Sequence, residues 1–166
     1  MWSFESTDTK EKTMNYNTMD KDEFRTVVKA LITNRGDILI GKKEETEGHP
    51  ISGEWHILGG HLEKGEEIEE AVKREVEEET GLEVKLHQVI DVMTFSWKDE
   101  ENDSVQVVYH CETDKRNEEP EADLEELKWV SPEEITDYVH TEEAERLEKR
   151  EEQSNFLQKL EELPTF

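Results

Sequence analysis

A single cysteine, Cys111, in 166 residues leaves no internal disulfide framework and suits a reducing compartment. Long apolar runs are missing as well, and no segment approaches the roughly 20 residues that cross a bilayer as a helix. The N-terminal "MWSFESTDTKEK" has neither the basic nor the apolar region of a secretory signal. Basic residues are the third scarcity: 20 Lys and Arg stand against 45 Asp and Glu, for a net charge of −25. That balance argues against general nucleic-acid binding, which needs clustered cations to neutralise phosphates, and against an anionic membrane surface. The absences together describe a cytoplasmic protein whose partners include neither nucleic acid nor membrane.

Apolar residues are 32% of the chain, yet they arrive in short concentrated runs, which argues against global disorder. The length suits one domain. The acidity is carried by 35 Glu against 10 Asp, and it suits either a salt-rich cytoplasm or simple solubility.

Residues 1–22 are polar without apolar period and read as a flexible tail, leaving 23–166 as the folded domain. Phe24–Asn34, "FRTVVKALITN", is a β-branched buried strand, and "NRGD" turns it into "ILIG" as a hairpin. "WHIL" is a short strand running into Gly59 and Gly60. A helix spans about Glu66 to Thr80, with Gly81 as its C-terminal stop. Two strands follow in "LEVKLHQVIDVMTFSW" and "SVQVVYHCET", then "LEELKWV". "SPEEITDYV" starts a helix with Ser131 as N-cap, Pro132 next and Glu134 completing a capping box. "TEEAERLEKREEQSNFLQKLEEL" reads as one charged helix with a sparse apolar stripe at Ala144, Leu147, Leu157 and Leu160. The sum is an α+β domain of roughly six strands and three helices.

The stretch Gly59–Leu82, "GGHLEKGEEIEEAVKREVEEETGL", packs nine glutamates into 24 residues. Glu75, Glu78 and Glu79 fall at i, i+3 and i+4, one above another within an arc of about 100°. Like charges at that spacing destabilise a helix, and at its C-terminal half the macrodipole disfavours them further. A hard divalent cation, which prefers oxygen ligands, reverses the sign of that cost. Ile68, Ala71, Val72 and Val76 make the adjoining stripe, so the helix packs on the sheet with its carboxylate edge beside Gly59 and Gly60. Arg74 and Glu66 are spaced to pair and hold that loop.

This stretch resembles the signature of the Nudix hydrolases. Gly60, Glu66, Arg74, Glu75, Val76, Glu78, Glu79, Gly81 and Leu82 fill all nine specified places. The glycines, the arginine (one of six) and the two aliphatics carry the match, because glutamates are abundant throughout. The resemblance implies an α/β/α sandwich with a mixed central sheet, in a single domain. It also implies Mg²⁺- or Mn²⁺-dependent hydrolysis of a nucleoside diphosphate linked to a further group. Carried over by position, Glu75, Glu78, Glu79 and the Gly59 carbonyl hold the metal. Arg74 joins the catalytic set, and Gly60, Glu66 and Gly81 shape the motif. The base is Glu75 or a carboxylate of the loop before Trp129, where Asp123, Glu121 and Glu126 compete and six-residue spacing favours Asp123. Lys42 and Lys43 match a phosphate-contacting position or are a solvated strand end. Trp55, Phe95 and Trp97 are stacking candidates for a base; His56, His61 and Cys111 are assigned structural roles. "GGHLEKGE" looks like the MutT-like branch, which cleaves nucleoside triphosphates, including oxidised ones. A nucleotide-sugar or ADP-ribose pyrophosphatase is the alternative, although "FSWKD" lacks the proline such enzymes often carry there. A nucleotide-sensing module of the same fold, without catalysis, is the rival of a different class. The C-terminal helix is a candidate homodimer surface.

Overall fold

The computed structural model describes residues 24–96 and 103–162. The proposed tail at 1–22 and Trp97 lie outside them. Seven strands form one mixed sheet: β1 (Arg25–Asn34), β2 (Asp37–Lys43), β3 (Trp55–Ile57), β4 (Gly59–His61), β5 (Lys85–Phe95), β6 (Ser104–Glu112) and β7 (Leu124–Val130). Helix α1 (Ile68–Thr80) packs on one face. Helices α2 (Ile135–Tyr138), α3 (Thr141–Ser154) and α4 (Phe156–Glu161) pack on the other.

The pattern of β1 explains the two layers. Val28, Ala30 and Ile32 point into a core with Ala71, Val72 and Val76 of α1. Leu31, on the opposite face, joins Leu147, Phe156 and Leu160 of the C-terminal helices. A strand buried on both faces must be apolar nearly throughout, as this one is. The result is the expected α/β/α sandwich.

Arg35 and Gly36 make the two-residue turn between β1 and β2, both at positive φ (51° and 85°), the geometry that matches strand twist in a tight hairpin. The strands then part. They pair at Thr33–Ile38 and Asn34–Asp37, after which β1 takes β4 as partner and β2 takes β3. Into this divergence the double-glycine loop is inserted. Gly59 has φ 148°, and a Cβ there would lie 2.1 Å from the Val28 carbonyl oxygen. Only glycine lets the two backbones approach so closely.

Three expectations are corrected. Gly59–His61 is a strand in its own right rather than the tail of "WHIL", because the chain turns at Leu58 and reaches β1. The helix predicted from Ser131 begins only at Ile135 and lasts four residues. The Ser131 hydroxyl is spent on the Glu134 carboxylate at 3.0 Å. Val139 then turns extended to bridge Trp55, and His140 donates its N–H to the Trp55 carbonyl. The single C-terminal helix is broken at Asn155, which adopts the left-handed conformation (φ 51°, ψ 46°) that asparagine tolerates better than most residues. The break lets Phe156 and Leu160 fold into the core with Leu147.

Gly59→Ala is expected to cost about 2–3 kcal/mol through this clash, lowering the melting temperature by about 5–10 °C. Gly65→Ala, also at positive φ (84°) but with nothing within 4 Å of its Cβ, carries the backbone strain without the clash and serves as the matched control in the same calorimetric scan.

Candidate functional site

One cavity of about 590 Å³ opens where β1 and β2 diverge. Glu75, Glu78 and Glu79 all line it, as their helical spacing requires, together with Gly59, Gly60, Arg74, Lys43, Asp123 and Phe95.

Glu79 is the most constrained of the carboxylates. It is 5% exposed; its Oε1 accepts the Gly59 N–H at 3.0 Å, and its Oε2 has no partner. Burial, reinforced by the charge on Glu75, pushes its pKa up to about 8. Glu75 is raised in the same direction by burial, against the pull of Arg74. A Cβ on Gly60 would sit 2.5 Å from the Glu75 carboxylate, so the second glycine is the space that carboxylate occupies.

Arg74 organises the rest. Its Nε and Nη2 donate to the two oxygens of Glu66 at 2.6 and 3.0 Å, and Nη2 also donates to the His61 carbonyl at 3.2 Å. Nη1 donates to Glu75 at 2.8 Å and to Glu78 at 3.2 Å. Hydrogen bonds to Glu66 and then Glu75 raise its pKa still further above the ordinary guanidinium range, and Glu66 is correspondingly lowered. Glu66 also accepts the Glu63 N–H at 3.1 Å, so the loop is stitched to the helix through one bidentate pair.

Among the described residues no three His, Cys, Asp or Glu side chains are gathered at metal-binding distance. Arg74 explains why, since it draws Glu75 and the half-exposed Glu78 toward itself. The donor chemistry nevertheless fits a hard divalent cation. A buried carboxylate oxygen without partner, a desolvated second carboxylate and a glycine-lined approach are what such an ion needs.

The two lysines separate. Lys43 is buried, ion-paired with Asp123 and lowered in pKa by desolvation. Lys42 lies outside the cavity and pairs with Glu125 at 3.3 Å, since adjacent strand residues face opposite ways. The Asp123 loop is tied to α1: Glu119 and Glu121 donate their N–H groups to the carbonyls of Thr80 and Glu79. The side chains of Glu121 and Glu126 do not line the cavity. Trp55 packs edge-on against Tyr138 in the second core instead. Phe95 does line the cavity, with the Arg146 guanidinium 5.1 Å from its ring centre. Cys111 is buried, its thiol pushed up to about 12 and therefore inert. His56 is buried beside Lys29 and lowered to about 3, with Nδ1 2.9 Å from the Ile57 carbonyl.

Sequence reasoning missed Lys29, Gln106, His140, Glu143 and Arg146, which also line the cavity. Lys29 donates to the Ile57 carbonyl at 2.8 Å, and Glu143 accepts the Ile57 N–H at 2.9 Å. A signal existed: Lys29 and Gln106 are polar interruptions in otherwise apolar strands.

A braced carboxylate helix beside a glycine loop, with a buried lysine in the same cavity, has the donors for a divalent cation and a phosphate group. Comparison with known proteins narrows this. A NUDIX domain family model matches residues 23–159, and the chain belongs to the Nudix family of hydrolases, which act on nucleotide pyrophosphate bonds with divalent metals. It is 32% identical over 123 residues to the nucleoside triphosphatase NudI of Escherichia coli strain K12, covering 69% of this chain and 86% of that one. A MutT protein from Methanosarcina mazei Go1 matches with TM-score 0.69 and 24% identity, over 82% of this chain and 99% of that one. The NUDIX domain of Shewanella oneidensis NrtR, solved with ADP-ribose, matches with TM-score 0.60 and 17% identity, over 82% and 94%.

Glu79 gives a pH test. Its carboxyl binds a proton more readily folded (about 8) than unfolded (4.5). In metal-free protein its contribution to stability is therefore full below pH 4.5 and is lost as pH rises through 8. Urea unfolding across that range in EDTA is expected to show the decline in the parent and its loss in Glu79→Gln.

Proposed function

We propose that this protein is a Mg²⁺-dependent nucleoside triphosphate pyrophosphohydrolase, acting in the cytoplasm and releasing a nucleoside monophosphate and pyrophosphate. The observation that carries the reading is the half-satisfied, buried Glu79 carboxylate at the Gly59–Gly60 loop. The triphosphate is favoured over ADP-ribose because the relative above 30% identity is named a nucleoside triphosphatase. Mg²⁺, with Mn²⁺ as substitute, would be held by Glu75, Glu78, Glu79 and the Gly59 carbonyl. Bound there it neutralises phosphate charge and acidifies water.

The chain's own residues do the rest. Lys43 meets phosphate oxygens, and its ion pair with Asp123 fixes where the ammonium stands. Arg74 would yield Glu75 and Glu78 to such an ion while its bidentate pair with Glu66 keeps the loop in place. Glu75, whose pKa burial raises against the pull of Arg74, accepts the proton of the attacking water. The substrate's phosphates need these cations and the divalent ion, since the field of a chain at −25 repels them.

A panel of nucleoside triphosphates, oxidised triphosphates, ADP-ribose and sugar nucleotides with Mg²⁺, resolved by chromatography, tests the reading. The expected result is triphosphate turnover abolished by EDTA and reduced at least about a hundredfold in Glu78→Gln/Glu79→Gln. Turnover of ADP-ribose alone would replace the substrate; binding without any turnover would make the protein a sensing module.

Asp123 and Glu75 are separable by kinetics. Asp123→Asn is expected to raise KM through a loosened Lys43, with kcat little changed. Glu75→Gln is expected to lower kcat by about 10²–10⁴. A kcat loss of that size in Asp123→Asn would make Asp123 the base.

A further inference from the structure

The large cavity has two unlike ends. Lys43, Arg74 and the carboxylates of α1 make one; Glu142, Glu143 and Arg146 of α3, with Phe95 and Gln106, make the other. A polyphosphate belongs at the first end. The acidic start of α3 at the second repels phosphate and leaves room for the uncharged part of a substrate.

Gln106 occupies the floor of that second end. It is the third residue of β6 and is 5% exposed, lining both the large cavity and a small void beneath α3. Its neighbours in register are Val27 on β1 and Met93 on β5. A hydrocarbon and a thioether cannot satisfy a carboxamide, and no other described residue bonds to it. Its polar atoms are not among those sealed away from the surface, so what they can meet is whatever enters the cavity. A carboxamide set between apolar strand neighbours, with no partner among the described residues, adds nothing to the sheet, and valine would serve it better. The Arg146 guanidinium lies over the Phe95 ring, 5.1 Å from its centre, and both residues line the same cavity as Gln106. Planar groups beside an adjacent donor and acceptor suit a heterocycle, which stacks by its face and is read along its edge.

We infer that Gln106 reads the nucleobase of the substrate: its Oε1 accepts from a ring N–H or exocyclic amine while its Nε2 donates to the neighbouring carbonyl or ring nitrogen, with Arg146 and Phe95 as the stacking wall. This rests on the nucleotide reading above and makes Gln106 a specificity residue of that site. His56 lines the same cavity, its Nδ1 2.9 Å from the Ile57 carbonyl and its buried Nε2 without a partner among the described residues.

The test measures kcat and KM for ATP, GTP, CTP and UTP in the parent, Gln106→Leu and Gln106→Glu, with melting temperatures alongside. The parent is expected to prefer one base. Gln106→Leu should raise KM for that base by about 10–100-fold with kcat nearly unchanged, collapsing the preference. Gln106→Glu, which offers acceptors only, should re-rank the bases toward those presenting amino groups. A parent without base preference, unchanged ratios in both variants, or an equal loss for all four bases would overturn the inference. Should the parent hydrolyse none of the four, the proposed activity fails separately. Calorimetric binding of the same nucleotides to the same proteins then decides: a preference lost in Gln106→Leu supports the inference, and equal affinities overturn it.

Discussion

One hydrogen bond, from the Gly59 N–H to the Glu79 carboxylate, fixes the relation between the glycine loop and the carboxylate helix. It needs a residue at Gly59 that can lie against the Val28 carbonyl, which only glycine does. It also needs α1 seated so that Glu79 is buried, which Ala71, Val72 and Val76 achieve by packing on β1. The second Glu79 oxygen is left without a protein partner, and an unsatisfied buried carboxylate is tolerated when a function takes up the deficit. The divergence of β1 and β2 places this strained junction at an opening rather than in a closed core.

The cavity shares the acidity of the chain, yet it also collects Lys29, Lys43, Arg74 and Arg146 among its carboxylates. Arg74 serves five oxygens from Glu66, Glu75, Glu78 and the His61 carbonyl, as a planar fork can and an ammonium cannot. The exposed glutamates keep the protein soluble, while the cations placed among the cavity's carboxylates determine what it can hold.

Much of this was readable in the residues. The hairpin at Arg35–Gly36, the carboxylate face of α1 and the Glu66–Arg74 brace follow from turn chemistry and helical spacing alone. What escaped depends on partners distant in the chain. Nothing local distinguishes Gly59–His61 from a loop until β1 is there to receive it. Ser131 offers a good cap, but Trp55 draws the chain extended eight residues later. Asn155 looks like an ordinary polar helix position until Phe156 is seen to need the core. Glu143 and Arg146 escaped for the same reason, since they reach the cavity only once α3 packs on the sheet.

The loop that carries Asp123 is hung by its backbone from the carbonyls of Thr80 and Glu79, the last turn of the carboxylate helix. Its anchoring therefore depends on peptide groups and on one side chain, Glu118, which accepts the Trp129 indole N–H. Apart from Glu118 and the left-handed Ala122, its sequence, "NEEPEA", is free to drift, but its length is not: losing one residue would displace Asp123 by one Cα step, about 3.8 Å, and part it from Lys43. In a lineage of such chains, this segment would accept substitutions readily and resist insertions and deletions.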